Sequence, residues 1–249
     1  MKWFGLTDKG IVRRNNQDCF LTAEVRDRLV AVLCDGMGGH AAGELASKVA
    51  SETFLAEVCA GISSRTNRKP NIPAIMQSAC RSANHEVCEH ALLSPSFTGM
   101  GSTLVGLCTD KNGKTYVANI GDSRWYLLSR FTRRIRQITI DHSLVEEYVR
   151  AGIITREEAR NHPKKNIITR AIGTDDPKPE ADIYKLRLQR GQALLLCSDG
   201  LSNSVADKDI LNSFLQIPTD PEKLCRHLLE LAFQGGAGDN VTMFVVVRT

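Results

Sequence analysis

"LVAVLCDGMGGH", Leu29 to His40, is an apolar run that stops abruptly in an acid and three glycines. The run Leu29 to Leu33 reads as a buried strand that ends at Cys34. Just beyond it stands a carboxylate, Asp35, on a loop too bare to pack against anything. Glycine lets backbone atoms approach a ligand closely, because no Cβ stands in the way. Two ligands suit such a loop. One is a phosphate held by backbone N–H groups, as in nucleotide-binding loops. The other is a metal ion held by the aspartate and a backbone carbonyl. The surrounding elements have to decide between them.

Before this stretch, Trp3 to Thr7 and Cys19 to Val25 have the pattern of short strands. After it, a helix fits Ala41 to Cys59, with Ala42, Leu45, Ala46, Val49 and Ala56 on one face. A polar, proline-bearing connection, Ser63 to Pro73, leads to a second helix ending near Leu93, striped by Ile75, Met76, Ala79, Ala83 and Val87. Four more strands are expected at Ser102–Cys108, Thr115–Ile120, Arg124–Leu128 and Arg134–Ile140, with "DKNG" (Asp110 to Gly113) as the turn of the first hairpin. Ile183–Leu188 and "ALLLCSDG" resume the core. Two helices come next, the latter striped by Leu224, Leu228 and Leu231, and the strand Val241–Val247 closes the chain. Strands and helices arrive in blocks rather than in strict alternation. That favours antiparallel sheets covered by helices, an α+β architecture, over a doubly wound parallel sheet. It also weakens the nucleotide-loop reading, which needs a βαβ unit around it.

Between Asp141 and Asp182 the pattern changes. Ser143-Leu-Val-Glu146 and Thr155-Arg-Glu-Glu158 both read as capping boxes opening short polar helices, and Pro163 ends the second. With few large apolar residues and strands on either side, this segment is expected to form a surface flap.

Composition narrows the function classes. At 249 residues, with 42% hydrophobic and 24% charged, the chain suits one large globular domain spanning 1–249. A formal charge of +4, with acids and bases intermixed, gives no footprint for nucleic acid. The one basic cluster, Arg130, Arg133, Arg134 and Arg136, alternates with Ile135 and Ile138 as a half-exposed strand would. "MKWFGLTDKG" lacks a signal-peptide core, and no segment reaches membrane-spanning length. Eight scattered cysteines with no CxxC pair, several inside apolar runs (Cys34, Cys108, Cys197), are expected to be buried free thiols in a reducing cytoplasm.

Asp35 is one of five acids at strand ends. "NNQDCF" sets Asp18 at the start of a strand, and "NIGDSR" sets Asp122 in a tight turn. "LLLCSDGLS" sets Asp199 just after a buried strand, and "GAGDNVTMFVVV" sets Asp239 just before the last one. Singly, each has an ordinary explanation, since Asp and Gly are turn residues. If the five ends converge, the charges cannot all stay ionised without cations. All-oxygen ligands suit magnesium or manganese rather than zinc.

"RRNNQD" (13–18), "DGMGGH" (35–40), "GSTLVGL" (101–107), "GDSR" (121–124), "DHS" (141–143), "SDGLSN" (198–203) and "GDNVT" (238–242) occur in this order. Together they resemble the metal-dependent protein phosphatases of type 2C, the PPM family, in their compact bacterial form. The resemblance implies a four-layer sandwich of two antiparallel β-sheets flanked by helices, with a flap at about 141–182. It implies two or three Mn2+ or Mg2+ ions, and attack on phosphorus by a metal-bridging water. Asp35 would bridge two ions, and the Gly36 carbonyl would reach one of them. Asp199 and Asp239 would hold the other, Asp18 would act through metal-bound water, and Asp122 with Asp199 would hold a third. Arg13, five residues before Asp18 as in the family, would grip the substrate phosphate through its two-pronged guanidinium, with Arg14 as the rival. Asn240 would orient Asp239 or close the turn. Met37 stands where animal relatives carry a histidine, so His40 is the nearest candidate for the general acid, with a helix-capping or structural role as its alternative and metal-bound water as the other proton donor. The implied function is hydrolysis of phosphoserine and phosphothreonine in proteins, opposing a serine/threonine kinase, by a cytoplasmic monomer that binds neither nucleic acid nor membrane. The alternatives are a small phosphate-ester hydrolase on the same site and a catalytically dead phosphoprotein-binding module. No ligand position has lost its acid, which argues against the dead module.

Overall fold

The structure, a computed structural model, describes residues 1–64, 70–174 and 179–249; for His40 and Ala41 only the backbone is described. One sheet has the order β1 (Lys2–Asp8), β11 (Val241–Arg248), β10 (Gln192–Cys197), β7 (Arg124–Ser129) and β8 (Arg134–Gln137). The other runs β2 (Asp18–Val25), β3 (Arg28–Met37), β5 (Leu104–Asp110), β6 (Lys114–Ile120) and β9 (Asp182–Arg187), with the two-residue β4 (Gly101–Ser102) on the end of β3. Every pairing is antiparallel. The expected α+β sandwich is therefore the architecture observed.

Period-two alternation in the strands builds the layers. In β3, Val30, Val32 and Cys34 face the helices α1 (His40–Ser63) and α2 (Ile72–Ala91), while Leu29, Ala31 and Leu33 face the other sheet. In β10, Leu194 and Leu196 point between the sheets, and Ala193, Leu195 and Cys197 point to α5 (Asp199–Ser204), α6 (Asp207–Gln216) and α7 (Pro221–Gln234). Trp125 and Phe244 fill the middle of the inter-sheet layer with no exposed surface. Burying such side chains stabilises the fold by about 1.5–3 kcal/mol each.

Several expectations are corrected. The first helix runs four residues past Cys59 to Ser63, and Ala56 is exposed; the buried face steps through Ala46, Ala50, Phe54, Val58 and Ile62 instead. Four-residue steps along a 3.6-residue helix hold that face toward the sheet, and Ala56 falls off it. Pro73 lies in the first turn of α2, not in the linker, since a missing N–H costs nothing there. The third helix region begins with an additional short helix, α5, which starts at Asp199 itself. The strand after Arg134 stops at Gln137 rather than Ile140. "DKNG" is a hairpin turn as expected: Gly113 has φ +81° and Asp110 Oδ1 accepts from the N–H groups of Asn112 and Lys114.

The excursion from 141 to 182 contains α3 (Leu144–Arg150) and α4 (Arg156–Arg160), with residues 175–178 outside the described residues. Thr155 and Glu158 form a complete capping box. At Ser143 only half forms: the serine accepts from Glu146 N, but the Glu146 carboxylate turns to Arg156 at 3.1 Å and ties α3 to α4. No helix among the described residues is long and apolar enough to cross a membrane. All eight cysteines are free, and Cys34, Cys108 and Cys197 are buried as expected.

Candidate active site

Strand parity puts the acids where they are. Leu29, Ala31 and Leu33 form the inter-sheet row of β3, and Asp35 is the next residue on that row. The strand does not stop before the acid: β3 continues through Gly36, paired with Ser102, to Met37. Asp18 lies directly opposite Asp35 in the β2–β3 register, so two carboxylates share one cross-strand position. Like charges so placed repel. At the same end of the sandwich, Asp199 leaves β10, Asp239 enters β11 and Asp122 turns from β6 into β7.

Each acid is held by its own local structure. The backbone of Asp35 is gripped by Thr103, whose Oγ1 accepts from Asp35 N at 3.0 Å and whose N donates to Asp35 O at 2.8 Å. Thr103 also bonds Ser123 at 2.8 Å, joining the Asp35 strand to the Asp122 turn. That turn needs Gly121 at φ +106°. Buried His142 backs it: Nδ1 accepts from Gly121 N at 3.0 Å, which leaves Nε2–H for Asp182 at 3.2 Å. Burial holds the His142 pKa below its ordinary value, in keeping with that neutral tautomer. Asp18 Oδ2 accepts from Ser198 Oγ at 2.8 Å, and Asp199 Oδ2 accepts from Asn203 at 3.0 Å. Asp239 accepts from Asn240 N at 2.8 Å and from the Arg13 guanidinium at 2.7 Å.

The cluster is short of positive charge. Burial first, then neighbouring carboxylates, pushes Asp18 up to about 7 and Asp122 up to about 8. Asp199 rises to about 6 from the same causes, with Asp239 the leading neighbour. Asp35 rises well above the carboxylate range, with Asp18 its strongest charged neighbour after burial. Arg124 offers little relief, because it forms a forked ion pair with Asp141 at 2.7–3.2 Å. Among the described residues, the ion pair that Arg13 makes is with Asp239.

Divalent cations fit this donor set. Asp18 Oδ1 and Asp199 Oδ1 are buried without a hydrogen-bond partner, which is costly unless something else meets them. All the acids are hard oxygen donors. A Cβ on Gly36 would run into the carbonyl of Gly43 and lie 2.7 Å from that of Gln17, so only glycine lets β3 and the start of α1 approach there. Among the described residues, no three of these acids close on a common point as a finished ligand shell. From Asp122 and Asp199 a groove of about 450 Å³ runs to α3 and α4, where Arg160 and Lys165 also line it.

Arg13, Asp18, Asp35, Gly36, Asp122, Asp199 and Asp239 thus all come to one end of the sandwich. The His40 side chain lies outside the described residues. Sequence reading missed Thr103, Ser198 and Thr242, whose N–H donates to Ser198 Oγ at 3.0 Å. Their signal was available: Ser198 continues the row Leu194–Leu196, and Thr242 continues Phe244–Val246, so each is a polar residue extending an apolar alternate row.

This sandwich and its carboxylate-lined end define a phosphatase of the metal-dependent class, and the chain belongs to the protein phosphatase 2C family, whose shared pattern matches residues 12–222. The serine/threonine phosphatase stp of Listeria innocua is 36% identical over 243 residues, covering 97% of this chain and 94% of that protein. The serine/threonine phosphatase of S. agalactiae superposes with a TM-score of 0.90 at 32% identity, covering 100% of this chain and 99% of that one. The catalytic domain of the phosphatase PstP, solved with two manganese ions, superposes with a TM-score of 0.82 at 34% identity, covering 98% and 96% of the two chains.

Proposed function

We propose that this protein hydrolyses phosphoserine and phosphothreonine in proteins with divalent metal ions held by its strand-end acids. The observation that carries the reading is the charge deficit: five carboxylates gathered at one end of the sandwich, two with orphaned buried oxygens, and, among the described residues, one arginine ion-paired to them. Asp35, the Gly36 carbonyl, Asp199 and Asp239 would between them hold two ions. Asp18 would act through the water around them, and Asp122 with Asp199 would take a third. Bound there, the ions supply a hydrolytic nucleophile at neutral pH and screen charge building on the phosphoryl oxygens. Ser198 and Thr103 keep Asp18 and Asp35 aimed while that charge shifts. Arg13, half-exposed at the mouth and paired with Asp239, would grip the substrate phosphate through its guanidinium. His40 is the candidate donor to the leaving serine or threonine oxygen. The 141–182 excursion borders the groove leading from Asp122 and Asp199 and acts as the flap. Free buried thiols fit a reducing compartment, where a serine/threonine kinase would supply the substrates and the phosphatase would act as a monomer.

The test is one assay series on phosphothreonine peptide, phosphotyrosine peptide and a small phosphate ester, each with manganese, magnesium or chelator. Preferential, chelator-sensitive release of phosphate from the phosphothreonine peptide is expected. Preference for the small ester would overturn the protein-substrate reading. Phosphopeptide binding without turnover would establish the dead module.

A further inference from the structure

The loop from Lys9 to Gln17 contains no strand or helix, yet it presents Arg13 to Asp239 and delivers the chain to Asp18. A guanidinium on such a loop can meet a phosphate only if the backbone on both sides of it is fixed. The end anchors are plain: Ile11 N donates to Ala237 O at 3.1 Å, Gly10 N to Asp8 Oδ1 at 2.8 Å, and Asn16 Nδ2 to Thr7 Oγ1 at 2.7 Å. Gln17 is also tied to the next stretch, its carbonyl accepting from Gly36 N at 3.1 Å and its Nε2 donating to Gly39 O at 2.7 Å. A further grip, reaching both sides of Arg13, comes from Asn240, which is 4% exposed. Its Nδ2 donates to Lys9 O and to Asn15 O, both at 2.9 Å, and its Oδ1 accepts from Gln17 N at 2.9 Å. The Asn240 backbone N–H meanwhile fixes Asp239 Oδ1 at 2.8 Å.

Sequence reading had this residue orienting Asp239 or closing the turn. Its main chain does hold Asp239, but its side chain is committed to the Lys9–Gln17 loop. Two carbonyls and one N–H converge on it, a pattern that an amide satisfies and a carboxylate does not, since a carboxylate would turn oxygen toward oxygen.

We propose that Asn240 is a positioning residue for substrate phosphate. By holding the loop on both sides of Arg13 and holding Asp239 with its own backbone, it sets the distance between the phosphate-gripping guanidinium and the acid cluster. The proposal rests on the phosphatase reading above, and its test separates the two. In the full chain with saturating manganese, Asn240→Ala should raise KM for a phosphothreonine peptide about tenfold, with a parallel rise in the inhibition constant of inorganic phosphate. The change in kcat should be smaller. Arg13→Ala should do the same, and the double variant should lose little more than Arg13→Ala alone, because both changes remove one interaction. Multiplied losses, or an unchanged KM, would overturn the proposal. Hydrogen exchange supplies a readout independent of turnover. In Asn240→Ala the amides of residues 12–17 should exchange faster while those of β11 stay protected; equal exchange in the loop would overturn it. An inactive wild-type protein with a released loop in the variant would sink the phosphatase reading and leave the clamp standing. Should alanine prevent folding, Asn240→Ser replaces the amide with a single hydroxyl, too short to hold all three partners, and carries the same comparisons.

Discussion

Two turn aspartates stand at opposite ends of β6, and they live in different worlds. Asp110, before the strand, accepts from two backbone N–H groups with one oxygen and faces Arg28 at 3.9 Å with the other. Asp122, after it, is pushed up to about 8 by burial and by Asp199 and Asp141. Both sit in turns with glycine, and neither residue type nor turn chemistry distinguishes them. What differs is whether the fold supplies partners. At the Asp110 end the charge is answered locally, as in any hairpin. At the Asp122 end four further acids arrive from other strands, and the nearest arginine is already taken by Asp141. An unanswered charge, rather than an acid as such, marks the functional end.

The contrast can be broken most sharply at Asp35. Asp35→Asn should lower kcat/KM on phosphopeptide by about three orders of magnitude, as removal of a principal electrostatic group does. The same change should raise the melting temperature of the metal-free protein by a few degrees, because it removes like-charge repulsion from a sheltered site. Calorimetric manganese titration with thermal melting reads both; normal turnover with intact metal binding would refute the assignment. At the other end, Asp110→Ala should behave in the opposite sense. Loss of two backbone contacts and an ion pair should cost about 2 kcal/mol of stability while leaving kcat/KM of the folded enzyme intact. A large activity loss with an unchanged melting point would mean the two ends are not functionally separate.

The smallest effect is a slope with pH. Asp199, Asp18 and Asp122 lie at about 6, 7 and 8 in the metal-free fold, against about 4 when unfolded. A raised folded pKa means that the native state binds the proton more tightly. The stability this contributes is full below about pH 4 and is lost as pH rises through about 6 to 8. Melting temperature of the metal-free protein should therefore fall by a few degrees over that range, and manganese should flatten the slope. A flat profile without metal would show that neither burial nor mutual repulsion raises these acids.

Much of this was legible in the sequence, for a physical reason. Strands buried on one or both faces write their alternation directly, so β1, β3, β10 and β11 are found within a residue or two, apart from the end of β3. That strand reads as stopping at Leu33 or Cys34 because Asp35 and Gly36 look like loop chemistry, although β4 pairs with Gly36 and Met37. The exposed Ala56 and the diverted Glu146 were misread because local pattern competes with tertiary partners, here the sheet under α1 and Arg156 from α4. The five acids could be picked out because each interrupts an apolar strand end. The clamp of Asn240 on Lys9, Asn15 and Gln17 could not, since its partners are backbone atoms more than two hundred residues away.

The excursion carrying α3 and α4 is sewn shut at its neck. Ser143 pairs with Ile168, Leu144 N donates to Ile167 O at 2.9 Å, and Thr169 N donates to His142 O at 2.8 Å. Chain that leaves the sandwich at this point returns to the same point, whatever lies between. Loop-closure cost grows only slowly with length once the ends are joined, so the inner stretch is open to replacement by a longer, shorter or unrelated cassette without disturbing a ladder in either sheet. Groove walls contributed by Arg156, Arg160 and Lys165 belong to that exchangeable piece, whereas Asp122, Asp141 and Asp199 belong to the frame. Lineages descending from such a protein can therefore trade one wall of the groove while inheriting the acids on the other.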